Sequence, residues 1–334
     1  MRKIFVVILA LSFLLSACAA PQGQQPATSQ PASNPPAARE PVTIRLAVIP
    51  VIDTLPMFVA EAEGLYAKYG LKVEFVPVAS APERDQVLAA GQADGTLNEL
   101  LSVMFFNREE VQMQVVRYGH MAAPGAGHFF ILASGQSEIT APVELAGVEI
   151  GISQGTIIEY VTDRLLEKNG LVASQVKTVS VPKIPDRMAL LGSGELKAAV
   201  MPDPLAALAV QQGAVIVLDD TQYPLYGASV ISFRKEFIDA NPLAVRSFLT
   251  AIEEAVILIN SQPEAYSSLL AEKQIVPPPL LGEYVIPPFP LMGVPSPVEW
   301  ADVTRWAKAK GLLEQDPSYT ESVTDQFLPE IIMQ

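Results

Sequence analysis

The side chains best placed for chemistry in this chain stand where apolar runs break into turns. Asp53, Thr54 and Leu55 follow the run 43–49, Ser80 follows 72–78, and Asn98 and Glu99 follow 93–97. Farther on, Ser153, Gln154, Gly155 and Thr156 close the run 148–153, with Glu159 and Tyr160 one turn beyond. Asp203 sits in Met201-Pro202-Asp203-Pro204 after another short run. Carboxylates, amides and hydroxyls in such places suit hydrogen bonding to a small solute. The 153–156 turn also offers backbone N–H groups, which favour an anion or a carbonyl. Each residue has an architectural reading as well. Asp53 or Thr54 can cap the following helix, and Glu159 can complement a helix dipole. Asp203 can cap a helix that begins at Pro204, and Gly155 can simply make a capped turn tight.

Bond-breaking chemistry has little support. The histidines are His120 and His128, eight apart in a Gly/Ala-rich stretch without a carboxylate nearby. That spacing makes a poor metal site, and the two read as unrelated loop residues. No Gly-x-Ser-x-Gly elbow, His-Glu-x-x-His pair, Walker loop or dinucleotide fingerprint is visible. The chain holds one cysteine, Cys18. Carboxylate-based hydrolysis remains as an alternative, with no spacing that argues for it. A non-enzyme without metal or cofactor is expected. The formal net charge is −14, which removes nucleic acid as a partner because no basic patch can neutralise phosphates.

The elements that must position these residues alternate. Strands are predicted at 43–49, 72–78, 93–97, 111–118 and 129–133, with helices at 55–69 and 82–90 and one after 97. A second unit repeats the plan from 148: strands at 148–153, 176–181, 198–201 and 214–218, helices at 156–169, 185–191 and 204–212. The units resemble each other, with Tyr69-Gly70-Leu71 matching Asn169-Gly170-Leu171. The fold class is therefore α/β, two doubly wound lobes of parallel sheet with helices on both faces. Ligands in such sheets bind beyond the carboxyl ends of the strands, so two lobes suggest a hinged clamp.

The N-terminus is a separate signal. Arg2 and Lys3 precede an apolar run 4–15, too short to span a membrane comfortably, and then Leu15-Ser16-Ala17-Cys18. Leu-Ser-Ala-Cys resembles the lipobox of bacterial lipoproteins. The resemblance implies that residues 1–18 form a signal whose Cys18 becomes the lipidated first mature residue, holding the protein at the extracytoplasmic face of the cell membrane. The alternative is an ordinary secretory signal with an incidental cysteine. Residues 19–41 are rich in Pro, Gln and Ser and read as a disordered, semi-stiff tether.

Four stretches carry a wider resemblance: 49–71 (IPVIDTLPMFVAEAEGLYAKYGL), 80–101 (SAPERDQVLAAGQADGTLNELL), 151–160 (GISQGTIIEY) and 184–208 (IPDRMALLGSGELKAAVMPDPLAAL). The chain resembles type II solute-binding proteins of ABC importers, in the group of nitrate, sulfonate, taurine and thiamine-pyrimidine-precursor receptors. The resemblance implies a first lobe of 42–130 plus 230–334, a second of 135–222, hinge strands near 129–135 and 223–230, a membrane permease as partner, and a monomer. Family members often carry Ser or Thr and Asp where this chain has Asn98 and Glu99. A fungal pyrimidine synthase of this fold depends on a Cys-rich motif that is absent here. The expected cleft is richer in Asp53, Glu99, Glu159 and Asp203 than in cations. Arg84 and Arg187 lie a turn into helices, where solvent can take them. The expected solute is therefore a pyrimidine-like or other nitrogenous compound, neutral or cationic, with Tyr160, Phe105 or Tyr118 available to stack on it. Sulfonate, taurine or nitrate is the alternative cargo, and a ligand-sensing surface receptor the alternative role.

Overall fold

The structure is a computed structural model and describes residues 40–330. Cys18 and the tether to residue 39 lie outside the described residues. The chain runs β1 (Val42–Val48), α1 (Leu55–Ala62), α2 (Leu65–Lys68), β2 (Leu71–Pro77), α3 (Ala81–Ala89), β3 (Gly95–Asn98), α4 (Leu100–Phe106) and β4 (Met113–Tyr118). It continues through β5 (Phe129–Ala133), β6 (Glu149–Ile152), α5 (Ile157–Lys168), β7 (Lys177–Ser180), α6 (Ile184–Ser193), β8 (Ala198–Pro202), α7 (Leu205–Gln211) and β9 (Val215–Asp219). After β10 (Val230–Arg234) come α8 (Lys235–Ala240), α9 (Pro242–Ser261), α10 (Ser267–Glu272), α11 (Pro297–Ala309) and α12 (Tyr319–Ser322).

Two five-stranded sheets result, ordered β2-β1-β3-β10-β4 and β7-β6-β8-β5-β9. The orders correspond strand for strand, as the internal likeness of the two units led one to expect. The expectation of purely parallel sheets fails at one strand in each. β10 runs antiparallel to β3 and β4, and β5 antiparallel to β8 and β9. Both are the strands by which the chain enters a sheet from the other one, so they arrive from the opposite end. The crossings themselves are 119–128 and 220–229. Residues 129–133, expected at the hinge, are β5, wholly inside the second sheet. The crossings are tied together: Gly119 N donates to Ser229 O at 2.7 Å and Ser229 N to His120 O at 2.8 Å.

The first sheet is buried by α1 and the long apolar α9, whose Val245, Phe248, Leu249 and Ile252 join Ile44, Leu46 and Phe233 in one cluster. No helix among the described residues is long and apolar enough to cross a membrane. The C-terminal α11 packs on α4 of the first lobe and also binds the second lobe. Its Trp306 Nε1 donates to Asp163 at 2.8 Å, and Lys310 Nζ donates to Glu159 at 3.0 Å.

Candidate functional site

A cavity of about 80 Å³ lies where the carboxyl ends of both sheets meet the crossings. One water needs roughly 10–15 Å³ of such space, so there is room for a few waters or one compact solute. The first lobe contributes Ile49, Val51, Asp53, Ser80, Arg84 and Leu97–Glu99 to its wall, the second Ser153, Thr156–Ile158, Pro182, Ile184 and Pro202, and the crossings His128 and Gly227–Ser229. The wall is mostly apolar with a few buried polar groups, the usual make-up of a small-molecule site.

Asp53, in the turn after β1, is buried on this wall. Its Oδ1 lies 3.0 Å from His128 Nε2, and its Oδ2 accepts from Ser229 Oγ at 2.6 Å. Burial alone would raise this carboxyl, but the charge and hydrogen bond of His128 outweigh it and hold Asp53 well below the usual carboxylate range. For His128, burial opposes the charge and Asp53 overcomes it, pushing the imidazole up to about 9. His120 lies edge-on to His128 with ring centroids 4.9 Å apart. Burial, reinforced by the charge of His128, pushes it down to about 3. The pairing with Asp53 thus favours the charged form of His128, and burial favours the neutral form of His120. The reading of these histidines as unrelated loop residues without a carboxylate is corrected: the first crossing folds back on itself and brings both against Asp53. His128 and Ser229 were not among the expected site residues. The histidines were visible in the sequence, but their partner stands 75 residues from His128.

Asp220 closes the back of this cluster. Its Oδ1 accepts from the backbone N–H of His128 at 2.8 Å and of Phe129 at 3.1 Å. Burial raises its carboxyl above the ordinary range. Gly227 is required beside it, because a Cβ there would stand 2.2 Å from Asp220 Oδ2.

On the first-lobe wall, Ser80 caps α3, accepting from Glu83 N at 3.4 Å. Asn98 Nδ2 donates to Ser102 Oγ at 3.2 Å, and its Oδ1 accepts from Ser232 at 2.8 Å. Glu99 receives Arg84 Nη1 at 3.0 Å and Nη2 at 3.3 Å, and Arg84 Nε donates to Asp85 at 2.8 Å. Burial lowers the hold of the guanidinium on its proton, and the two carboxylates more than restore it. Burial, with Asp85 close by, leaves Glu99 above the ordinary carboxylate range in spite of Arg84. Arg84 is 3% exposed and Arg187 0%, so the expectation that solvent takes them is wrong. Arg187 donates to the carbonyls of Val200 and Val181, each at 2.7 Å, and does not line the cavity. Burial pushes it down to about 10.

On the second-lobe wall, Thr156 caps α5 by accepting from Ile158 N at 3.2 Å. Ser153 is 2% exposed, and its hydroxyl has no partner among the described residues.

The remaining expected residues lie off the wall. Thr54 turns its hydroxyl to Val51 O at 2.7 Å, makes no cap bond, and is buried with Leu55, which belongs to the first core cluster. Gln154 is exposed. Gly155 gives its N–H to Glu159 at 2.8 Å, so that turn does not offer it to a ligand. Glu159 itself is held by Lys310, at the C-terminal end of α11. Tyr160 donates to Asp302 at 2.8 Å and packs edge-on against Trp306 in the core. Phe105 and Tyr118 also lie away from this cavity, Tyr118 donating to Glu299 at 2.6 Å. Asp203 stands just behind Pro202. It accepts a hydrogen bond from Tyr284, in the proline-rich segment before α11, and burial raises it to about 6. It makes no side-chain cap, and α7 begins after it.

Comparison with known proteins agrees with this layout. Solved structures with the same fold include the alkanesulfonate-binding protein SsuA from Xanthomonas axonopodis pv. citri bound to MOPS, 17% identical with a TM-score of 0.72 over 86% of this chain and 99% of that one. The periplasmic nitrate-binding protein NrtA from Synechocystis PCC 6803 is 16% identical, TM-score 0.65, over 86% and 87%. The desulfurization enzyme DSZB is 17% identical, TM-score 0.63, over 86% and 97%. At these identities the likeness establishes a two-lobed periplasmic-binding-protein fold, and one that also serves an enzyme. No curated protein sequence matches. The family model described as NMT1/THI5 like matches residues 52–266, and the chain belongs to that family.

Proposed function

We propose that the chain is the extracytoplasmic solute-binding subunit of an ABC importer, anchored to the membrane by lipid on Cys18. In this reading the two lobes, 42–130 with 230–334 and 135–222, close on a solute by bending at the crossings. The closed form is presented to a membrane permease. The observation that carries the reading is the cavity walled by both lobes, with the buried Ser153 hydroxyl left without a partner among the described residues. A buried polar atom of that kind is uncommon in a finished core.

The solute that fits is compact and uncharged, with a pyrimidine-like or other nitrogenous heterocycle as the leading class. On the wall, Asp53 faces His128 and Glu99 faces Arg84, so the charges cancel in pairs. Sulfonate or nitrate is the second reading. It is favoured by the N-termini of α3 and α5, whose caps Ser80 and Thr156 both line the cavity, since helix N-termini favour anions.

The test is a thermal-shift screen of the full chain in detergent against nucleobases, thiamine precursors, polyamines, sulfonates and nitrate. A ligand that binds only the folded chain raises its melting temperature. A shift with a neutral heterocycle supports the first reading. A shift with sulfonate or nitrate alone transfers it to the second. Uptake of the solute that survives deletion of the chain in cells refutes the importer role.

A further inference from the structure

Arg84 is the one arginine on the cavity wall among the described residues, and its guanidinium is already spoken for. Two of its nitrogens face the two oxygens of Glu99, and the third faces Asp85. Arg84 and Glu99 are 3% and 4% exposed, so water does not weaken the pair much. Asp85 is anchored in turn by Ser102 Oγ at 3.0 Å. Glu99 stands immediately before α4, where a side chain can cap the helix, yet it makes no cap bond. Its carboxylate turns to Arg84 instead. The other cation on the wall, His128, is committed to Asp53 in the same way.

Beyond the N-termini of α3 and α5, the group on this wall that an anion could pair with by charge and fork geometry is the guanidinium that Glu99 holds. Displacing Glu99 would leave a buried carboxylate without its partner, which is strongly unfavourable. A neutral solute requires no such exchange. We propose that Glu99 sets the charge selectivity of the cleft: by gripping Arg84 through both terminal nitrogens it withholds the anchor an anion would use and makes the site one for uncharged solutes. This rests on the solute-binding reading and assigns the residue that decides the class of solute.

The experiment is calorimetric titration of the full chain in detergent with nitrate and with methanesulfonate. Wild type, Glu99→Gln, Glu99→Asp and the double variant Glu99→Gln with Arg84→Met are compared. Glu99→Gln keeps the shape of the side chain and removes the charge. It is expected to gain roughly tenfold or more in anion affinity, the order of one charge-assisted hydrogen bond, and the double variant to lose that gain. Glu99→Asp keeps the charge but is too short for the two-point grip, and a smaller gain is expected. It carries the test if Glu99→Gln does not fold. Absence of any gain in a folded Glu99 variant overturns the assignment, as does wild type binding either anion as tightly as Glu99→Gln. The solute-binding reading fails on a different observation, uptake in cells that does not depend on the chain, so the two failures are told apart.

Discussion

Replacing Asp53 by Asn removes one charge from the centre of the junction and leaves its shape. The consequence can be worked from the pair it makes with His128. In the folded chain His128 holds its proton up to about 9, against an ordinary 6.5 when unfolded. Tighter proton binding in the folded state stabilises it by about 3 kcal/mol where the proton is bound in both states. That stabilisation is fully present below 6.5 and is lost as pH rises through 9. The carboxylate end gives the complementary limit. Asp53 is depressed, so its share is present above its ordinary 3.8 and lost as pH falls toward its lowered value. These are two views of one pair and are not added. Asp53→Asn is therefore expected to cost about 3 kcal/mol near pH 6 and much less near pH 10, where wild type has already lost the ion pair. Urea unfolding of wild type and variant at both pH values measures the difference. The imidazole resonances of His128 should also show its titration moving down in the variant, because burial is then opposed only by Asp220 and the backbone of Gly227. A stability difference that does not change between the two pH values would refute the ionic pair and, with it, the cationic state of His128.

Three further outcomes are expected, two from the geometry and one from the N-terminal sequence. Ser153→Ala removes a buried hydroxyl that has no partner among the described residues, so the melting temperature should hold or rise by the equivalent of about 1 kcal/mol while solute affinity falls; loss of stability with affinity intact would place Ser153 in the core alone. Burial raises Asp203 to about 6 from its ordinary 3.8, so its ionisation disfavours the folded chain above 6 and has no effect below 3.8. Asp203→Asn should then gain up to about 3 kcal/mol at neutral pH and nothing near pH 4, and thermal unfolding with an equal gain at both would contradict the burial argument. Cys18→Ser should leave the protein unlipidated and out of the membrane fraction on cell fractionation; retention there would end the lipoprotein reading.

The alternation of strands and helices was legible because it is a local property. Apolar runs with β-branched residues and glycine stops mark β1, β6 and α5 within a few residues, while the single helix expected over 55–69 is broken into α1 and α2 at Gly64, whose φ of 68° is left-handed. The two antiparallel strands were not legible. Nothing within 129–133 or 230–234 tells which way a strand runs in its sheet, since direction is set by the lobe the chain has just left. The same limit hid the histidine cluster. His120, His128, Asp53 and Ser229 come from three separate stretches and meet only because the crossings hydrogen-bond to each other at His120 and Ser229.

Strand ends predicted the right turns but not which residues of each turn face inward. After β1, Asp53 faces the cavity while Thr54 and Leu55 pack away from it. After β6, Ser153 and Thr156 face it while Gln154 is exposed and the N–H of Gly155 is taken by Glu159. The charge of the cleft depends on the partners of its acids, which the sequence does not show. An excess of Asp53, Glu99, Glu159 and Asp203 over cations points to a cleft that attracts positive charge. The fold gives each acid a partner: His128 for Asp53, Arg84 for Glu99, Lys310 for Glu159 and the Tyr284 hydroxyl for Asp203. A carboxylate already matched by a buried cation attracts neither sign strongly, because its field is cancelled at short range where solvent screening is weak. The pairing therefore shifts the expected solute away from a cation as well as from a free anion. What remains for recognition is shape and the few polar groups with hydrogen-bonding capacity left, Ser153 first among them.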